Sequence, residues 1–261
     1  MNGKCHMRFY EELNDFLPLA RRKVQFVHEF RRRASVKDMI EALGVPHTEI
    51  ELILVNGRSV DFTHIVRDGD RISVYPMFES LDIGPLVRVR PRPLRVSRFV
   101  LDVHLGKLAR YLRLLGFDAL YRKDYGDAEL AAVAGAERRV LLTRDRDLLK
   151  RSAVTRGYYV RATDPRRQVE EVVDRLDLYG AIDPLRRCTR CNGLLAVVPK
   201  SQVWDRLPPK TRHLVESFWE CGACGHLYWE GGHMPRIRGF IERLRARAIA
   251  PVTGQIHRAA K

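Results

Sequence analysis

Two Cys-x-x-Cys pairs, Cys188 with Cys191 and Cys221 with Cys224, constrain this chain more than any other feature. Four thiols in two such knuckles bind a tetrahedral Zn²⁺ in a closed structural site, and the ion then dictates the loops around it. The 29 residues between the knuckles exceed the usual ~15–20, so an insertion is needed. Residues 201–213, with Trp204 and the Pro208-Pro209 pair, can supply it. Gly193, Gly222 and Gly225 allow the tight turns of a knuckle. The N-terminal stretch MNGKCHMRFYEELNDFLP has early acids and no apolar core of the secretory kind. The expected compartment is therefore the cytoplasm, where thiols are metal ligands rather than disulfides. His226 and His233 lie near, but four cysteines already complete the site, and Cys5 is left as an inert thiol.

The chain has 261 residues, 45% of them hydrophobic and 30% charged, with a net charge of +15. That length and composition allow one large domain or two to three small ones. The charge draws polyanions, nucleic acid first. No run reaches the ~18 apolar residues of a membrane span, so no membrane partner is expected. The charge is also uneven. Residues 1–80 hold 12 basic and 12 acidic side chains, residues 81–98 hold 5 and 1, residues 99–185 hold 16 and 14, and residues 186–261 hold 14 and 5. The excess thus falls on segment 81–98 and on the C-terminal third.

Alternating apolar positions predict strands at 6–10, 23–28, 51–55 and 71–75, with a tight turn at Asn56-Gly57. A helix between the second and third strands takes Ser35 as cap, Asp38 at its third position, and Gly44 as its end. This order describes a small α+β domain over 1–80 and resembles the β-grasp fold of ubiquitin-like and sulfur-carrier proteins. Carriers act through a C-terminal Gly-Gly. Here the domain runs into Met77-Phe78-Glu79-Ser80, so binding or packing is the expected role. Residues 81–98 carry Pro85, Pro91 and Pro93 among five arginines and read as a stiff basic linker.

From 99 to 185 short apolar strands alternate with helices. Leu105, Leu108, Leu112 and Leu115 form one helix face before Gly116, and Asp164-Pro165 is a helix start. Repeated βα units imply a parallel sheet with helices on both faces, and functional groups at the C-terminal ends of its strands. Asp102 follows the first strand, and Asp145 and Asp147 follow the apolar run 140–142. Asp127 opens an intervening helix, with Asp124 and Glu129 as rivals for that middle position. Carboxylates converging on one edge repel unless a cation sits among them, and Mg²⁺ or Mn²⁺ suits oxygen ligands. The chemistry this implies is metal-dependent phosphodiester hydrolysis. Thr143 is expected to orient a carboxylate or a phosphate. His104 reads as a helix-start residue without a role.

The strings FVLDVHLGKLARYLRLLGFD at 99–118, LLTRDRDLL at 141–149, CNG at 191–193 and YWEGGH at 228–233 resemble the Mut-seven C-terminal RNase family. That family is a branch of the PIN-like nucleases often preceded by a ubiquitin-like domain. The resemblance covers 7–78 and 99–240. It implies a PIN-like α/β core at 99–185, a zinc ribbon with a basic helix at 186–247, and a tail at 248–261. It also implies RNA as substrate, with Asp102, Asp127, Asp145 and Asp147 catalytic. RNA contacts are expected at Lys107, Arg110, Arg144, Arg187, Arg190, Trp204, Arg236 and Arg238, because arginines reach phosphates and aromatics stack on unpaired bases. For Lys107, Arg110 and Arg113 a solvated helix face remains the alternative. Trp219 and Trp229 are expected to pack the ribbon core. Structured RNA, tRNA or ribosomal, is the expected target, with a protein partner for the β-grasp domain. The alternative is a non-catalytic RNA- or ribosome-binding factor.

Overall fold

The strand Gly3–Phe9 (β1) alternates strictly: Cys5, Met7 and Phe9 are buried while Lys4 and Arg8 face solvent. A computed structural model describes residues 3–76, 98–232 and 234–249 of the chain. The stretch 77–80, the Pro/Arg linker up to residue 97, His233 and the tail from residue 250 lie outside the described residues. The first domain continues with β2 (Phe26–Phe30), helix α1 (Val36–Ala42), β3 (Ile50–Val55), β4 (Arg58–Val60) and β5 (Arg71–Pro76). The sheet order is β2-β1-β5-β3-β4, with β1 and β5 parallel and the other pairs antiparallel. Val36, Met39 and Ile40 of α1 pack on the buried side of β1. Ser35 caps α1: its hydroxyl accepts from the Asp38 N–H at 3.1 Å, and the Asp38 carboxylate accepts in return. Asn56 and Gly57 form the predicted turn, with φ of 51° and 80°, the positive pair that a two-residue hairpin needs. The second strand starts at Phe26 rather than residue 23. Lys23 is held in a left-handed turn, its N–H donating to the Asn14 side chain at 2.6 Å.

The second unit runs β6 (Arg98–Leu101), α2 (Gly106–Leu114), β7 (Asp118–Leu120), α3 (Asp127–Ala136), β8 (Val140–Thr143), α4 (Arg146–Leu149), β9 (Gly157–Tyr159) and α5 (Pro165–Arg175). All four strands are parallel, in the order β7-β6-β8-β9. Such strands are buried on both faces and read as unbroken apolar runs. Phe99, Leu101 and Leu142 pack towards α2 and α5, while Val100 and Leu141 pack towards α3 and α4. Four leucines of the α2 stripe are buried, each worth ~1.5–3 kcal/mol. Leu112→Ala would therefore cost about 2–5 kcal/mol.

The third unit is a three-stranded antiparallel sheet: β10 (Leu195–Val198), β11 (Phe218–Cys221) and β12 (Leu227–Trp229). Helices α6 (Lys200–Val203) and α7 (Pro209–Leu214) fill the gap between β10 and β11, as the long spacing required. Val203, Leu207, Phe218 and Leu227 form its small core, with Trp229 packed against them. Trp219 follows Phe218 along a strand, so it faces the other way and stays half-buried instead of entering that core. Helix α8 (Met234–Ile249), expected with the ribbon, returns to the α/β unit: Phe240, Ile241 and Leu244 join its main core.

The first domain docks beside β9 through polar groups. The Glu49 carboxylate accepts from the Tyr159 N–H at 2.5 Å and lies 3.6 Å from Arg161, which also pairs with Asp15 at 3.0 Å. Arg175 pairs with Glu12 at 2.5 Å, and His47 Nε2 bonds the Val154 carbonyl at 2.9 Å. Burial pushes the Glu49 carboxyl up to about 7.

Candidate functional site

The chain leaves β6 towards β7 on one side and returns to β8 on the other. The strand order reverses between β6 and β8, and open α/β sheets bind ligands beyond the carboxyl ends of such a pair. Leu101 is in register with Leu142, and the Asp102 N–H donates to the Leu142 carbonyl at 3.1 Å. Asp102 and Thr143 therefore stand side by side. Thr143 is fully buried; its hydroxyl donates to Asp102 Oδ2 at 2.7 Å and accepts from the Asp145 N–H at 2.9 Å. Asp102 is itself only 7% exposed. Asp145 caps α4, its Oδ1 accepting from the N–H groups of Asp147 at 2.8 Å and Leu148 at 3.3 Å.

The other acids stand at the rim. Asp127 is exposed at the start of α3, 3.6 Å from Arg151. The Asp147 side chain is 89% exposed and pairs with Lys150 at 3.0 Å. Asp124 and Glu129 are both held by Arg122, at 3.1 and 2.7 Å. Among the described residues, no three of these carboxylates bring oxygens within 4.8 Å of one another. The structure thus gathers Asp102, Thr143 and Asp145, and leaves Asp127 and Asp147 on their flank.

The cysteines do gather. All four Sγ atoms lie within 4.8 Å of one another, with Cys188–Cys224 at 3.7 Å and Cys191–Cys221 at 3.4 Å. Tetrahedral thiolates ~2.3 Å from Zn²⁺ sit about 3.8 Å apart, so the set fits the ion. Gly193 is required here, because a Cβ would lie 2.8 Å from Cys221 Sγ. Burial raises the Cys188 thiol, but the Tyr228 hydroxyl and the N–H groups of Arg190 and Cys191 outweigh it and bring it to about 6.

A buried network joins this centre to the parallel sheet. Asn192 Oδ1 accepts from the Ala119 N–H at 2.9 Å, and its Nδ2 donates to Asp118 at 2.8 Å. Asp118 also accepts from Arg139 at 2.8 Å and from Arg187 at 3.4 Å. Burial would raise the Asp118 carboxyl, but the bonds from Arg139 and Asn192 hold it below the ordinary value. Buried Arg113 donates to the carbonyls of Ala119 at 2.8 Å and Arg190 at 2.9 Å. Sequence reasoning gave Asp118, Asn192 and Arg139 no role and read Arg113 as a phosphate contact or a solvated face. The available signal was that Asp118 and Asn192 both stand in the strings that carry the family resemblance.

The expected RNA contacts divide. Lys107, Arg110 and Arg190 line one cleft between α2 and the knuckles. Trp204 is 39% exposed, with Lys200 and Arg212 5.9 and 5.6 Å from its ring centre. Arg236 is exposed, and Arg238 pairs with Glu230 at 2.5 Å. Arg144 and Arg187 are engaged within the fold. Arg144 Nη1 donates to the carbonyls of Val160, Arg161 and Ala162 at 3.1, 2.7 and 2.6 Å, which ties the ends of β8 and β9 together. Arg187 is taken by Asp118 and by the Asn192 carbonyl at 3.0 Å.

Among the described residues, no helix is long and apolar enough to cross a membrane. No curated protein matches the chain. The family model described as the Mut7-C ubiquitin matches residues 3–82, and the one described as the Mut7-C RNAse domain matches residues 97–241. The second span contains the switch-point acids and all four cysteines, and it covers more than half of the sequence. The chain belongs to the Mut7-C RNAse domain family, with a Mut7-C ubiquitin domain ahead of the RNAse domain.

Proposed function

We propose that this chain is a divalent-metal-dependent, PIN-like ribonuclease that hydrolyses RNA phosphodiester bonds at the β6/β8 edge. The observation that carries the reading is the buried Asp102, fixed by Thr143 beside Asp145 at the point where strand order reverses. Mg²⁺ keeps several waters and takes one or two carboxylates plus substrate phosphates. Asp102 and Asp145 suit direct contact on that pattern, with Asp127 and Asp147 reached through water; Mn²⁺ would use the same oxygens. When bound, such an ion neutralises the phosphate in attack and acidifies a coordinated water. Thr143 holds Asp102 Oδ2 in one orientation, which leaves Oδ1 for the ligand side. The α4 cap likewise fixes Asp145 through Oδ1 and leaves Oδ2. The four cysteines hold a structural Zn²⁺ with no open position. The target in this reading is a structured RNA, tRNA or ribosomal RNA, met in the cytoplasm, and the ubiquitin-like domain offers a face for a protein partner.

The test uses the full, zinc-loaded chain with total tRNA and ribosomal RNA in Mg²⁺ or Mn²⁺. Asp102→Asn and Asp145→Asn should each abolish cleavage and keep RNA binding. Unchanged cleavage in either variant would remove that residue from the catalytic set. A wild-type chain that binds RNA and cuts none would establish the alternative, a non-catalytic RNA- or ribosome-binding factor.

A further inference from the structure

The cleft between α2 and the cysteine knuckles has a volume of about 1020 Å³. That lies at the upper end of the ~300–1,000 Å³ range of ligand sites. Its lining contains Lys107, Arg110 and Lys123 from one side and Arg190 and His226 from the knuckles; the carboxylate beside it, Asp164, lines the adjoining cavity together with Arg166. Among the described residues, no carboxylate pairs with Lys107, Arg110 or Lys123. Arg122, Arg167 and Arg238, by contrast, each pair with a carboxylate. A concave surface with unmatched cations of one sign focuses its field on a polyanion.

The walls are fixed. Arg113 holds the Thr189-Arg190 turn from beneath through the Arg190 carbonyl. The Tyr121 hydroxyl donates to the Val103 carbonyl at 3.0 Å, and its ring lies so close over Gly106 that a Cβ there would meet it at 2.7 Å. Val103 and His104, the two residues that follow Asp102, also line the cleft.

We propose that this cleft holds two or more consecutive phosphates of a single-stranded RNA segment that leaves the β6/β8 edge, with the zinc knuckle serving as its second wall. A strand with splayed bases can enter a concave groove and lay a base on a ring such as Tyr121. A duplex is recognised across its wide, shallow minor groove and needs an open, extended surface. The link to the acidic edge rests on the ribonuclease reading; the binding itself does not.

The experiment measures fluorescence anisotropy of a labelled twelve-nucleotide oligo(U) RNA with the full, zinc-loaded chain and no added Mg²⁺ or Mn²⁺. Lys107→Glu with Arg110→Glu should weaken Kd at least tenfold. The log–log salt slope should become shallower by about 1.4, at ~0.7 per phosphate for single strands. Arg190→Glu, on the opposite wall, should weaken Kd at least threefold. Arg32→Glu with Arg33→Glu changes the net charge as much on an exposed turn of the first domain, and should change Kd less than twofold. Binding by both cleft variants within twofold of wild type would overturn the proposal. So would an equal loss in the Arg32/Arg33 control, or a twelve-pair RNA duplex that competes better than the single strand. A chain that cuts nothing while its cleft variants lose binding overturns the nuclease reading alone. A chain whose cleft variants cut and bind as wild type overturns the cleft alone.

Discussion

Asp118→Ala tests the joint between the parallel sheet and the four-cysteine centre. The Asp118 carboxylate, 13% exposed, takes hydrogen bonds from Arg139, Asn192 and Arg187, and the Arg139 side chain is only 4% exposed. Removing one member of a buried ion pair costs about 3–5 kcal/mol, because a charge is left in low dielectric. Arg139 would keep the Glu137 carboxylate at 2.7 Å and the Phe99 carbonyl at 3.2 Å. The expected loss is therefore at the lower end, about 3 kcal/mol. Urea unfolding of the zinc-loaded chain at pH 7 reads it. Asp118→Asn should cost less, since one oxygen still accepts. Adding Arg139→Met to Asp118→Ala should recover part of the loss, because no buried charge then lacks its partner. Asp118's folded-state pKa lies below its usual 3.8, so its stabilisation is complete above that value and disappears as pH falls through the depressed one. The wild type and Asp118→Asn should converge at acid pH. A loss under 1 kcal/mol at pH 7, with no recovery in the double variant, would refute the reasoning.

Three further outcomes follow from the same contacts. Glu49 titrates at about 7 in the folded chain against 4.5 ordinarily, so its stabilisation is complete below 4.5 and lost as pH rises to 7, on the order of 3 kcal/mol. Glu49→Gln should flatten the fall in urea midpoint over that window, and equal slopes would count against it. Thr143→Val strips the donor from buried Asp102, which should cost about 1–3 kcal/mol in stability and lower RNA cleavage with little change in RNA binding; a parallel fall in both would assign Thr143 to binding. Zinc removal by a chelator should lower the melting temperature and weaken oligo(U) binding together, because the ion fixes the Arg190 wall; unchanged binding in the apo chain would separate ribbon from cleft.

Much of the fold was legible because it follows from local pattern. The α2 leucine stripe, the Ser35 and Asp164 caps and the apolar run 140–142 fix their elements from neighbours in sequence. The cysteine centre was legible because its ligand type and spacing suit few other purposes. The acidic edge was legible in part: Asp102 and Asp145 meet through Thr143, but nothing in the sequence says that Arg122 would hold both Asp124 and Glu129. Tertiary partners were the hidden quantity. Arg144 resembles any surface arginine until three carbonyls are found around it. The docking of Glu49 beside Tyr159 joins residues 110 positions apart, a separation no local pattern spans.

The charge count shows the same limit from the functional side. By number, the anion site belongs in the C-terminal third, with 14 basic residues against 5 acidic, and not in segment 99–185, with 16 against 14. The contacts place it on the border of the two, since the cleft takes Arg190 and His226 from the C-terminal third. Arg187, Arg206, Arg238 and Arg247 pair with carboxylates, while Arg212 and Arg245 donate to the carbonyls of Leu207 and Ile182. In the nearly neutral segment the acids are drawn aside: Asp118 into the joint, Asp124 and Glu129 onto Arg122, Asp127 and Asp147 to the rim. Lys107, Arg110 and Lys123 are left facing the cleft without a carboxylate partner among the described residues. Potential at a surface depends on how charges are segregated and on the shape that focuses their field, so a sum over a segment does not locate it. A phosphate chain held there would reach Asp102 across a boundary between positive and negative walls. On the proposed nuclease reading, a divalent cation at that boundary would be held by carboxylates together with phosphate oxygens.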